Sequence, residues 1–164
     1  MPLQRFLRRL AAGLVAGSAL VSAAWADDGS PRTPLLPQYA QECGGCHLAF
    51  PPALLPAASW QRLMDGLPRH FGTDASLDAA TTRELSAWLA ASALNPDKGR
   101  KQRRDPTPPP EDRITRTAWF LHEHDEIAPA VWQRQAVGRT SNCAACHTGA
   151  AQGRFSEHDV RIPR

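Results

Sequence analysis

Two copies of the pattern Cys-x-x-Cys-His, a hundred residues apart, constrain this chain more than any other feature. Each copy supplies two cysteines and a histidine, which are Cys43, Cys46 and His47 in ECGGCH and Cys143, Cys146 and His147 in NCAACH. In an exported chain this pattern is the attachment signature of a c-type haem. The two thiols form thioethers with the porphyrin vinyl groups, and the imidazole that follows binds the iron. The sequence therefore predicts two covalently bound c-type haems, which use all four cysteines.

Other uses of the cysteines explain the sequence less well. The cysteine pairs of a zinc ribbon lie roughly 15–20 residues apart, and here the separation is far larger. A thioredoxin-like redox pair needs a βαβ frame, and the sequence predicts no such frame. Two disulfides are the usual interpretation of four cysteines in an exported protein, but they leave both adjacent histidines without a role.

Residues 1–26 are predicted to form a cleaved secretory signal peptide. A basic start (MPLQRFLRRL) is followed by a short apolar run and by the small-residue site AWA before Asp27. An uncleaved membrane anchor is the alternative, but the apolar run is shorter than the ~20 residues that span a bilayer. The segment holds three of the 19 Lys and Arg residues and none of the 16 acidic ones. The mature chain is thus formally neutral, which argues against nucleic-acid binding, and no later segment is apolar enough to span a membrane.

A linker at residues 96–112 divides the mature chain. It carries a cluster of five Lys and Arg residues and then a proline run, which favours an extended spacer. We expect an N-terminal cytochrome c haem domain at 27–95 and a C-terminal haem-binding segment at 113–164. The basic cluster is most simply a solvated loop, and the alternative is a docking site for an acidic partner.

Hydrophobic spacing predicts a mainly α fold with two small haem-binding halves. The N-terminal half is predicted to have helices at about 38–46, from 59 to about 67, and at 77–93, with Ser59 and Ser76 as their start signals. The C-terminal half is predicted to be irregular, with only short helical pieces. Fifteen prolines and eleven glycines leave little room for longer elements.

The second axial ligand decides whether a haem iron carries electrons or binds small molecules. Beyond the initiator, the only methionine is Met64, which lies on an apolar helix face and is expected to fill the core. Two His/Met haems are therefore impossible. His70 follows a helix break at Pro68, in a loop that can reach around a haem, and is the predicted distal ligand of one haem.

The distal ligand in the C-terminal half is either His122 or His124. If this piece is helical, the two side chains point to nearly opposite faces at ~100° per residue. His124 shares its face with Phe120, and this apolar neighbour favours His124 as the distal ligand. His158 lies in a polar tail and is expected to be exposed.

At these residues the chain resembles the small periplasmic dihaem cytochromes c of proteobacteria. The matching stretches are ECGGCHLAFPPALLPAASWQRLMDGLPRHFG, ITRTAWFLHEHDEI and NCAACHTGAAQGRFSE. The resemblance implies two bis-histidine, low-spin haems, with His47 and His147 as proximal and His70 and His124 as distal ligands. It also implies an N-terminal half like a small class I cytochrome c, with an irregular C-terminal half packed against it. The partners implied are other haem redox proteins, such as a small oxygen-binding cytochrome or a membrane b-type cytochrome.

These observations together predict a periplasmic electron-transfer protein rather than an enzyme. One alternative is a ligand-binding or peroxidase-like dihaem protein in which a distal histidine is labile. The other is a docking subunit of a larger complex, in which the basic linker matters most.

Overall fold

The computed structural model describes residues 34–95 and 105–164. The predicted signal peptide at 1–26 and the basic part of the linker, 96–104, lie outside the described residues. Within the described ranges the fold is mainly α, as predicted, and outside the helices the chain forms turns and two isolated β-bridges. No helix in these ranges is long and apolar enough to cross a membrane. The proposed domain boundaries at residues 95 and 113 stay predictions.

Three helices form the N-terminal half: α1 (Pro37–Gly44), α2 (Ala57–Asp65) and α3 (Ala79–Ser92). Single 3₁₀ turns at Pro52–Leu54 and Leu67–Arg69 flank α2. Proline at the first position of α1 is favoured there because it lacks the amide hydrogen that would be unpaired. The Asp78 carboxylate begins α3 by accepting hydrogen bonds from the Ala80 and Thr81 amides, at 2.9 and 3.1 Å.

The core of this half lies between the three helices. Its fully buried side chains include Leu55, Leu85 and Leu89, and Met64 packs with them as predicted. Two polar atoms of this core are satisfied by backbone oxygens. Tyr39 Oη donates to the Phe50 carbonyl and Trp60 Nε1 donates to the Pro52 carbonyl, both at 2.7 Å.

The C-terminal half has two short helices, α4 (Ala118–Glu123) and α5 (Pro129–Trp132). Five 3₁₀ turns accompany them in the described part, at Pro110–Asp112, Ile114–Arg116, Cys143–Ala145, Ala150–Gln152 and Glu157–Asp159. The Thr117 hydroxyl begins α4 by accepting a hydrogen bond from the Phe120 amide at 3.0 Å. Buried apolar side chains of this half include Phe120, Val137 and Ala150. So few apolar groups form a thin core, which a large apolar cofactor can complete.

The segment that leads into the C-terminal half is tied to the N-terminal helices. The Asp112 carboxylate accepts two hydrogen bonds from the Arg62 guanidinium on α2, at 2.6 and 2.9 Å. The Arg113 guanidinium carbon lies 4.3 Å from the centre of the Phe71 ring. Ile114 packs against the core of the three helices. These contacts fix where the polypeptide enters its second half.

Candidate haem-binding sites

The first candidate site lies between the end of α1 and the turn that follows α2. His47 comes just after the cysteine pair, and His70 ends the 3₁₀ turn at Leu67–Arg69. The two imidazole ring centres are 6.1 Å apart, and the ring planes differ by 22°. A metal–imidazole bond of about 2 Å plus roughly 1 Å to each ring centre gives about 6 Å for two rings on opposite sides of one ion. The spacing is therefore right for two axial ligands of one iron.

Hydrogen bonding determines which nitrogen His47 can offer to a metal. Its Nδ1 lies 2.7 Å from the Leu48 carbonyl oxygen. In the tautomer in which Nδ1 donates to that oxygen, Nε2 keeps its lone pair for a metal. The Phe50 ring stacks on this imidazole at 5.2 Å and limits its rotation.

His70 is held by a tight turn rather than by a bond to its ring. The Thr73 amide donates to the His70 carbonyl at 3.0 Å, and the Ala75 amide donates to the Leu67 carbonyl at 2.9 Å. Gly72 takes a φ of +93°, which glycine adopts at little cost. The His70 Nδ1 is buried and has no hydrogen-bond partner among the described residues. Burial lowers the pKa of His70, and the neighbouring His47 lowers it further, so the ring favours the neutral form that binds metals.

The second candidate site lies between the end of α4 and the 3₁₀ turn Cys143–Ala145. The ring centres of His124 and His147 are also 6.1 Å apart, but their planes differ by 73°. His124 Nδ1 lies 2.8 Å from the Phe120 carbonyl oxygen, and the Phe120 ring stacks on the imidazole at 4.1 Å. Burial, followed by the proximity of His124, lowers the pKa of His147. Both pairs therefore place two imidazoles at the separation that one metal ion requires.

The backbone around the second motif is fixed by bonds to the C-terminal tail. The Arg161 amide donates to the Cys146 carbonyl at 2.8 Å, and Val160 forms an antiparallel bridge with His147. The His147 amide itself donates to the Cys143 carbonyl at 2.8 Å, which closes the helical turn of the motif. The tail thus holds the backbone of His147 in place, whereas its buried Nδ1 has no hydrogen-bond partner among the described residues.

The alternative histidines lie apart from both pairs. The His122 side chain is 81% exposed, and its Nδ1 is 3.9 Å from an Asp125 carboxylate oxygen. His158 is exposed in the C-terminal tail, as expected. Met64 is buried in the helical core. Of the two histidines that the sequence left open, the structure brings His124 to His147.

The chemistry of each donor set fits haem better than zinc. None of the four cysteines forms a disulfide within the described residues, and burial raises the pKa of Cys43 to about 11, with a smaller contribution from Glu42. Burial also raises the pKa values of Cys143 and Cys146. In the described ranges no three His, Cys, Asp or Glu side chains converge as a metal site. Two axial imidazoles suffice for haem iron because the porphyrin supplies the other four ligands, whereas zinc needs at least three protein ligands.

Several side chains that shape the sites are not identifiable from the motifs. Phe50 stacks on His47, and Phe155 meets His147 edge-on with ring centres 5.5 Å apart. Each follows its Cys-x-x-Cys-His motif closely, but at a different distance, so the sequence offers no common spacing. The Nδ1 acceptors of His47 and His124 are backbone carbonyls, which carry no sequence signal at all.

Comparisons with known proteins agree with this chemistry. The family model of dihaem cytochrome c matches residues 39–155, which include both motifs and the four paired histidines. A dihaem cytochrome c from Shewanella baltica is 37% identical, with 80% of this chain and 95% of that chain covered and a TM-score of 0.66. A search among functionally curated proteins returned no match.

Two structures from Rhodobacter sphaeroides are similar as well. A dihaem cytochrome c is 41% identical, with 73% of this chain and 96% of that chain covered and a TM-score of 0.62. The protein called DHC is 40% identical, with 76% of this chain and 100% of that chain covered and a TM-score of 0.63. The present chain therefore belongs to the dihaem cytochrome c family and carries two covalently bound c-type haems.

Proposed function

We propose that this protein is a periplasmic electron carrier whose two haems each have two histidine ligands. The observation that supports this most strongly is the pairing of His47 with His70 and of His124 with His147, each at 6.1 Å. The same separation arises twice, in halves that do not share a fold. The family's Cys-x-x-Cys-His chemistry supplies the rest of each site.

The proposed roles follow from the position of each residue. One haem is attached through Cys43 and Cys46, with His47 proximal and His70 distal. The other is attached through Cys143 and Cys146, with His147 proximal and His124 distal. When bound, each haem would supply an iron that gains or loses one electron.

The four histidines would adapt such a group to electron transfer, because two imidazole ligands on each iron would leave no room there for a small molecule. A six-coordinate, low-spin arrangement changes little between the two oxidation states, which keeps electron exchange fast. The Nδ1 bonds of His47 and His124 to backbone carbonyls orient their rings and leave Nε2 for the iron. Redox proteins that carry haem, such as a small oxygen-binding cytochrome or a membrane b-type cytochrome, are the partners we propose.

A second candidate function has one specific observation in its favour. His70 has no ring hydrogen bond within the described residues, whereas His124 is anchored to Phe120. If one distal ligand dissociates, we expect it to be His70. The protein would then bind small ligands, or act on peroxide, at the haem attached to the first motif.

Spectroelectrochemical titration of the purified holoprotein tests the proposed function. Because two imidazoles lack the potential-raising effect of a methionine ligand, both midpoint potentials should lie below those of His/Met cytochromes c. We expect two reversible one-electron steps with the same path in the oxidative and reductive directions. Two strongly positive potentials, or a titration that does not reverse, would contradict the proposal.

A further inference from the structure

The charges of the described residues are unevenly distributed along the chain. Residues 134–164 contain five arginines and only two acidic residues. Residues 105–133 contain two arginines and six acidic residues, and residues 34–95 contain three arginines and five acidic residues. The C-terminal part is thus the basic region of a described structure that is otherwise acidic.

The arginines of this region differ in pairing from those elsewhere. The guanidinium groups of Arg62, Arg113 and Arg116 each contact a carboxylate within 2.9 Å. In contrast, Arg134 and Arg161 form no ion pair with a described residue. Arg134 Nη1 donates to the Pro163 carbonyl at 2.6 Å, and Arg161 Nη1 donates to the Val160 carbonyl at 2.9 Å. Their hydrogen bonds hold both groups in position without neutralising either charge.

Backbone bonds place these charges beside the second Cys-x-x-Cys-His motif. The Arg161 amide is bonded to the Cys146 carbonyl at 2.8 Å, next to the bridge between Val160 and His147. On the other side of the motif, the Asn142 amide donates to the Arg139 carbonyl at 2.9 Å. Ile162 follows Arg161 and is 44% exposed, although it is a large apolar side chain. We call the set Arg134, Arg139, Arg161, Ile162 and Arg164 the basic edge.

We propose that the basic edge is the docking surface for an acidic electron-transfer protein, which exchanges electrons with the haem attached at Cys143 and Cys146. The inference rests on the electron-carrier function and on this attachment. Unpaired surface charges steer an oppositely charged partner and raise its association rate. The exposed Ile162 supplies an apolar contact within the charged surface, which suits the small interfaces of transient redox complexes.

The first motif has a different charge beside it. Glu42 directly precedes Cys43 and is exposed, and the part of the chain described at 34–95 is acidic as a whole. An acidic partner is therefore expected to approach the second motif and to be repelled from the first. This asymmetry makes the site of docking testable with single charges.

The test measures how fast an acidic donor protein reduces the ferric holoprotein. The donor is flavodoxin in its anionic hydroquinone form, which loses one electron to become the neutral semiquinone while one ferric haem becomes ferrous. Stopped-flow rate constants are compared for wild type, Arg161→Glu, and the double variant Arg134→Glu with Arg161→Glu. Arg83→Glu is the matched control, because Arg83 is an exposed arginine on α3 without an ion pair among the described residues. The lysine variants at positions 134 and 161 keep the charge.

We expect the double variant to react at least tenfold more slowly than wild type at low salt, and Arg161→Glu several-fold more slowly. Arg83→Glu and the lysine variants should stay near wild type, and the differences should vanish above roughly 0.5 M salt. Equal losses in Arg161→Glu and Arg83→Glu would show that only net charge matters and would overturn the proposal. Unchanged rates in the double variant would overturn it as well.

Two further measurements separate the docking surface from folding and from the electron-carrier function. Oxidation of the reduced double variant by hexaammineruthenium(III), a cation that accepts one electron, should be at least as fast as in wild type. A variant with damaged haem sites would instead be slow with both reagents and would show shifted midpoint potentials. If dithionite does not reduce the wild type reversibly, the electron-carrier function fails together with the surface. If only the charge dependence is missing, the surface alone fails.

Discussion

The Asp112 carboxylate offers the sharpest test of how the two halves are joined. It accepts hydrogen bonds from Arg62 Nη2 at 2.6 Å and from Arg62 Nε at 2.9 Å. The Asp112 side chain is 14% exposed and the Arg62 side chain is 51% exposed. Asp112 also has a φ of +53°, which asparagine tolerates at least as well as aspartate. Asp112→Asn therefore removes the charge and leaves the backbone unstrained.

The change in the free energy of unfolding follows from the burial of the carboxylate and the geometry of its two hydrogen bonds. Exposed ion pairs contribute roughly 0–1 kcal/mol, because solvent screens them. A bidentate pair with a mostly buried carboxylate approaches the roughly 1.5–3 kcal/mol of charged hydrogen bonds. Since the guanidinium partner is half exposed, we expect Asp112→Asn to lower the free energy of unfolding by about 1–2 kcal/mol at pH 7.

The contribution of Asp112 to the free energy of unfolding must also depend on pH, in a direction that its pKa shift determines. Hydrogen bonding to Arg62 holds the pKa of Asp112 below its ordinary value. Stability from this group is then fully present above the unfolded pKa of about 3.9. It is lost as the pH falls through the lower pKa of the folded state, because the folded protein must take up a proton there. The difference between wild type and variant should be constant near neutral pH and shrink below about pH 4.

Urea unfolding of the holoproteins, followed by far-ultraviolet circular dichroism between about pH 7 and pH 3, measures this difference. The control is Glu111→Gln, because Glu111 pairs with Arg113 and Arg116 but is exposed. The free energy of unfolding should therefore fall less in Glu111→Gln than in Asp112→Asn. An unchanged unfolding midpoint for Asp112→Asn at pH 7 would refute the reasoning. A difference that persists undiminished at pH 3 would refute it too.

Two further predictions concern the proposed ligands and the loop that carries one of them. His124→Ala should give one high-spin haem that binds carbon monoxide. His122→Ala should leave the visible spectrum unchanged, because His122 is exposed. The reverse pattern would show that the ligand is misassigned. Gly72→Ala should lower the free energy of unfolding by about 1–2 kcal/mol without changing the visible spectrum. No atom of the described residues lies within 4 Å of the added Cβ, so we expect the φ of +93° to set the cost. An unchanged urea midpoint would argue against it.

The sequence predicts the parts of this molecule that covalent chemistry fixes. The thioether and imidazole bonds of haem require one spacing of Cys and His, so the motifs can be recognised in the sequence without knowledge of the fold. The structure brings His124 rather than His122 to His147, because a short helix separates their directions, and the assignment of His124 as a ligand stays a prediction. The mainly α class follows from hydrophobic spacing in the same way.

Helix starts are less predictable, because several polar residues compete for the same role. Ser59 was expected to begin the second helix, but α2 begins at Ala57, and Ser59 is fully buried in its first turn. Ser76 was expected before the third helix, yet its amide donates to the Asp74 carboxylate at 2.9 Å, and Asp78 caps α3 instead. Sequence alone does not show which of these side chains reaches the free amides.

Contacts between segments that lie far apart in the sequence cannot be predicted from local patterns. Arg62 and Asp112 are 50 residues apart, and no local pattern marks them as partners. The basic edge likewise forms because the C-terminal tail folds back onto the second motif. The sequence instead drew attention to the basic linker, whose charges are clustered within seven residues and therefore visible. Tertiary folding decides which charges stay unpaired.

The central claim is that each haem iron is bound by two histidines, and one spectroscopic measurement tests it most directly. Visible and EPR spectra of the ferric holoprotein are recorded, and the visible spectrum is repeated after reduction under carbon monoxide. Because the imidazole planes meet at 22° in one pair and 73° in the other, we expect two different low-spin EPR signals. No spectral shift should follow the addition of carbon monoxide. A high-spin component, or a haem that binds carbon monoxide, would contradict the account and favour a ligand-binding or peroxidase-like protein.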